Sequence, residues 1–154
     1  MTTKADFNAE EWTTLVEAPL LAGMRVVAAE RGGTLKESIA VGRTYAEARQ
    51  RHGESPLLDA LVASPPAMDP SRLREGAGNV EQLATTRLRE AAGLIDAKAS
   101  ADEAQAYKQF VVTVADAVAS AHSEGGFAGI GGRPVSDKEQ AALDDIRSTL
   151  GIAG

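Results

Sequence analysis

A chain of 154 residues, 44% hydrophobic and 25% charged, has the make-up of one globular domain able to bury a core without disulfides or metals, so a single domain over 1–154 is expected. Sixteen basic against 22 acidic residues give a net charge of −6 with no basic tract, which argues against nucleic acid, whose binding rests on Lys and Arg contacts to phosphate. Cysteine is absent, which excludes thiol nucleophiles, Cys-ligated zinc and iron–sulfur clusters.

The opening stretch Met1–Trp12 has no apolar signal-like run, so a cytoplasmic protein is expected. Asn8-Ala9-Glu10-Glu11 reads as a capping box, and Trp12, Leu15, Val16, Leu20, Met24 and Val27 then keep helical spacing. Pro19 interrupts that pattern. It lacks an amide and its ring crowds the preceding turn, so a break near Glu17–Pro19 is predicted, with a second segment running to Glu30.

Thr34-Leu35-Lys36-Glu37 is another capping box, opening a helix to about Arg51 with Leu35, Ile39, Gly42 and Ala46 on its core face and Gly42 as a close-packing point. Ser55-Pro56 marks the start of a short helix over Leu57–Val62. The prolines and glycines between Ser64 and Gly78 leave room for one helical turn around Ser71–Arg74. Asn79 caps a helix to about Lys98, with Leu83, Leu88, Ala91, Leu94 and Ile95 inward.

The longest pattern follows Ser100-Ala101-Asp102-Glu103, a further capping box. Ala104, Tyr107, Val111, Val114, Val118 and Ala121 form one stripe, widened by Phe110, Val112 and Ala117, which predicts a central helix with neighbours on several sides. Lys108, Asp116 and the glutamines exclude a membrane span here. Ser136-Asp137-Lys138-Glu139 caps the last helix, whose buried line is Leu143, Ile146 and Leu150 and whose stop is Gly151. No segment alternates with period two. The expected fold is all-α, a compact helical bundle of five to seven helices.

Two stretches share one plan of helix, glycine loop and capped helix: Arg25–Ala46 and Asp116–Leu150. In the second, Gly125, Gly126, Ser136, Glu139 and Leu143 carry a resemblance to the TerB-like (tellurite-resistance-associated) bacterial helical proteins, with a fainter version at Gly32, Gly33, Thr34 and Glu37. Ser123-Glu124-Gly125 and Glu30-Arg31-Gly32 stand where that family carries an Ala-Asp-Gly turn. The resemblance implies a cytoplasmic bundle tied to bacterial stress-response systems, with acidic residues that bind a divalent cation or a membrane-associated complex.

The loop from Gly125 to Pro134 is the least ordinary feature. It reads as a long connection with Phe127 and Ile130 folded back, as a surface offering Gly125, Gly126, Phe127, Gly129, Ile130 and Arg133 to a protein partner, or as an anion cradle. The anion reading has no preceding strand and no Lys-Ser/Thr pair to support it. Asp137, Glu139, Asp144 and Asp145 could form a hard-cation site, or could serve as caps and solvated charge. His52 and His122 suit helix C-termini, and no E-x-x-H pair exists for a di-iron site. Tyr45 and Tyr107 are expected to pack with their hydroxyls reaching the surface, and Arg25 to pair with Glu17 or a C-terminal acid. The reading carried forward is a non-enzymatic protein-interaction module with no cofactor. A divalent-metal-binding module is the alternative, and an enzyme with a pocket between helices the third.

Overall fold

The computed structural model describes residues 4–29, 35–51, 56–63, 80–124 and 137–152. After a 3-10 turn at Lys4–Asp6, the described residues form six α-helices: α1 (Ala9–Ala29), α2 (Leu35–Gln50), α3 (Pro56–Val62), α4 (Val80–Lys98), α5 (Ala101–Glu124) and α6 (Asp137–Leu150). No strand occurs among the described residues. The protein is an all-α bundle, and none of its described helices is long and apolar enough to cross a membrane.

The helix ends follow local chemistry. Asn8 Oδ1 accepts the Glu11 amide at 2.8 Å while Glu11 Oε1 accepts the Asn8 amide at 2.9 Å, a reciprocal capping box. Ser100 Oγ receives the Glu103 amide at 3.3 Å at the start of α5. At the far end of α6, Ile152 donates to Arg147 O and Gly151 to Ser148 O, with Gly151 at φ 78°, which is a Schellman stop. The predicted caps at Thr34, Asn79 and Ser136, and the turn at Ser71–Arg74, lie outside the described residues.

Helix α5 is the hub. It packs against each of the other five α-helices, and its buried residues include the predicted Ala104, Tyr107, Phe110, Val111, Val112, Val114 and Val118. Helix α4 immediately precedes α5 in the chain, yet its main neighbour is α1, with α5 a lesser one. Among its predicted inward residues, Leu88, Ala91 and Ile95 are buried and Leu83 and Leu94 half-buried, while Ala84 and Ala92 join the core.

Helix α1 corrects the sequence reading twice. No break occurs at Pro19; the helix runs unbroken from Ala9 to Ala29 with Pro19 inside it. Its core face is also rotated from the expected stripe: Leu15, Ala18, Leu21, Ala22 and Val26 are buried, whereas Trp12, Val16, Leu20 and Met24 are half-exposed. The reason is close helix approach. A Cβ on Gly23 would lie 3.1 Å from a methyl of Val118, so α1 turns its small residues, not its largest, toward α5.

Contacts along these helices fix their directions. Tyr107 meets Leu15, and Val114 and Val118 meet Gly23, so α1 and α5 run parallel. Lys98 meets Glu11 while Glu81 meets Arg25, so α4 runs antiparallel to both. Among the described side chains of α2, which begin at Val41 and so leave out the predicted Leu35 and Ile39, Thr44 and Tyr45 are buried and Val41 and Ala48 half-buried; Gly42 and Ala46 are exposed, and no atom lies within 4 Å of a Cβ at Gly42. Gly42 is therefore not a close-packing point. The Tyr45 ring, set edge-on to Phe110 at 5.2 Å, decides which face of α2 turns inward.

Candidate functional site

The parallel course of α1 and α5 brings the ends of both helices, Ala29 and Glu124, to one end of the bundle, together with the start of α4. The two glycine-bearing connections, 30–34 and 125–136, therefore depart from the same end. Arg25 secures this end. Its guanidinium is nine-tenths buried, pairs with Asp145 of α6 and lies 3.4 Å from Glu81 of α4, which ties three helices together. Asp145 is the C-terminal acid that the sequence suggests for Arg25; Glu81 is a partner the sequence reading missed.

The acidic residues of α6 separate by environment. Glu139 is buried beside Ala142 and Leu143 on the inner face. Asp145 is engaged by Arg25, and Asp144 accepts from Gln140 Nε2 at 3.0 Å and lies 3.6 Å from Arg147. Arg147 also reaches Asp116 of α5 at 3.4 Å, and partial burial holds the Asp116 carboxyl above its ordinary range while Arg147 pulls it down. Consecutive residues on a helix point about 100° apart, which is why Asp144 and Asp145 face different partners. Among the described residues no group of three acidic or histidine side chains comes together to hold a metal ion. Gly125, Gly126, Phe127, Gly129, Ile130 and Arg133 lie outside the described residues, as do the side chains of Asp137, His52 and His122.

Both tyrosines correct the sequence reading. Tyr107 is fully buried and donates to the Leu15 carbonyl at 2.8 Å; burial raises its hydroxyl well above the ordinary tyrosine value, with Tyr45 adding to the effect. It is a fixed donor. Tyr45 is also buried, its hydroxyl has no hydrogen-bond partner among the described residues, and burial raises it too.

On the α2–α5 flank lies a cleft of about 230 Å³ that the sequence reading did not locate. Thr44, Glu47, Ala48 and Arg51 of α2 face Ala106, Gln109, Phe110 and Thr113 of α5, with Leu58 and Asp59 of α3 at its edge. Each wall shows the same i, i+3, i+4, i+7 spacing, which was the available signal. Its floor is apolar and its rim carries both charge signs. That can hold a small amphipathic group.

Comparison with protein-family models, with curated proteins and with solved structures finds no match for this chain.

Proposed function

We propose that this chain is a non-enzymatic protein-interaction module that meets its partner at the end of the bundle where α1 and α5 finish. The contact surface in this reading is segment 125–134, with Phe127 and Ile130 as apolar anchors and Arg133 as the polar one. One observation carries it: α1 and α5 pack in parallel, so the helix ends from which segments 30–34 and 125–136 continue lie at the same end of the bundle. Loops held by rigid helices are where recognition concentrates, and aromatic and Arg side chains supply most interface energy. On the strength of the TerB-like resemblance, we assign the module to a cytoplasmic bacterial stress-response or envelope-associated system.

The test uses a photo-crosslinking benzoylphenylalanine in place of Phe127, and separately in place of Asp102 at the opposite end of α5. A discrete crosslinked species from position 127, absent from position 102 and weakened by Ile130→Ala, is the expected result. No crosslink at 127, or equal crosslinking from both ends, would overturn the reading.

A further inference from the structure

We infer that Pro19 makes the middle of α1 a hinge, held closed by the hydroxyl of Tyr107. Proline at position 19 has no amide to donate to the carbonyl four residues earlier, which is Leu15, and its ring pushes that carbonyl away from the helix axis. That carbonyl is the one Tyr107 engages, at 2.8 Å, inside the core. A side chain of α5 thus supplies the hydrogen bond that the backbone of α1 cannot.

The two halves of α1 are also fastened separately. The first half is held by Lys98 Nζ, which lies 2.8 Å from Glu11 and 3.1 Å from the Asp6 carbonyl and stands 5.5 Å over the Phe7 ring. The second half is held by Arg25, through Asp145 and Glu81. Without the Tyr107 hydroxyl, a buried carbonyl is left unsatisfied at the one point where the ladder of α1 is already broken. The relief available to the chain is to bend there and admit water. Burial raises the Tyr107 hydroxyl well above the ordinary tyrosine value, which works against opening of the latch by titration. It opens by separation of α1 from α5.

Amide hydrogen exchange on the full chain, read over peptides covering 9–18 and 20–29, tests this. Wild type should show continuous protection across α1. Tyr107→Phe keeps the ring and removes only the donor, and should produce a step at Pro19. One half should exchange on the order of tenfold faster than the other, the scale of one lost buried hydrogen bond. Adding Pro19→Ala returns an amide to Leu15 and should erase the step. Ile95→Val, a core change in α4, should weaken protection without a step. A uniform change across α1, no change, or a step that survives Pro19→Ala would overturn the inference. Should Tyr107→Phe alone fail to fold, recovery of folding in the double variant supports the latch, and failure of both variants overturns it.

Discussion

The three glycines inside described helices offer a test of packing in which the same substitution should have opposite signs. At Gly42 and Gly93, exposed on α2 and α4, a Cβ would meet nothing within 4 Å. Alanine there gains only helix propensity, so each variant should be more stable by up to about 1 kcal/mol. Gly23 has the same propensity to gain, but its Cβ would sit 3.1 Å from Val118 Cγ2 and 3.9 Å from Val114 Cγ1. Carbon atoms prefer about 3.5–4.0 Å. Val118 is 1% exposed and has little room to give. Overpacking of this kind costs about 1–3 kcal/mol, so Gly23→Ala should be destabilised by about 0–2 kcal/mol after the propensity gain. Val118→Ala alone should cost about 2 kcal/mol through the cavity it leaves. In the double variant the alanine methyl occupies part of that space, so its loss should fall short of the sum by about 1 kcal/mol. Urea unfolding at constant m-value measures all of these. If Gly23→Ala stabilises the protein as much as Gly42→Ala does, the close crossing of α1 and α5 is wrong.

Other consequences can be checked alongside. Glu11 is held below its ordinary value of 4.5 by the hydrogen bond from Lys98 and then by the Asn8 amide. Its contribution is present above that value and is lost as pH falls through the depressed one. The only tryptophan, Trp12, lies 6.1 Å from Phe7 and should report this as an acid fluorescence transition that Lys98→Met abolishes. Asp116 has the opposite sign, because burial raises it above 3.8 and penalises the charged form. Stability should fall as pH rises from 3.8 through the raised value, and Asp116→Asn should flatten that slope in acid-range unfolding curves. Arg25→Met should cost about 1–2 kcal/mol by thermal or urea unfolding, less than a deeply buried pair, because Asp145 and Glu81 are solvent-accessible and can be rehydrated. Gly151→Ala should cost about 1 kcal/mol in the same assay, since φ 78° disfavours a Cβ.

Much of the fold was legible because its signals are local. The Asn8–Glu11 and Ser100–Glu103 caps, the Gly151 stop and the apolar stripe of α5 each depend on residues within a turn or two. What the sequence concealed is tertiary. Pro19 breaks helices in isolation, and only the approach of Tyr107, 92 residues away, supplies the missing partner at Leu15. The inward face of α1 was misplaced because Ala18, Ala22 and Gly23 carry little hydrophobic weight, yet they permit the closest contact with α5. On α2, the predicted core face included Gly42 and Ala46, which are exposed, and passed over Tyr45, which is buried. The candidate site was legible only as residue chemistry. That two glycine connections share one end depends on helix direction, which no local pattern encodes.

That shared end is what the proposed recognition surface depends on, and a distance measurement tests it most directly. The chain has no cysteine, so spin labels can be placed cleanly at Gly32→Cys with Gly126→Cys, and at Gly32→Cys with Ala101→Cys. Helix α5 has 24 residues and so spans about 36 Å, while packed helix axes lie about 8–10 Å apart. Pulsed dipolar spectroscopy should therefore give a 32–126 distance below about 25 Å and a 32–101 distance beyond about 30 Å. The reverse order would mean that α1 and α5 run antiparallel, and the recognition end proposed for this protein would not exist.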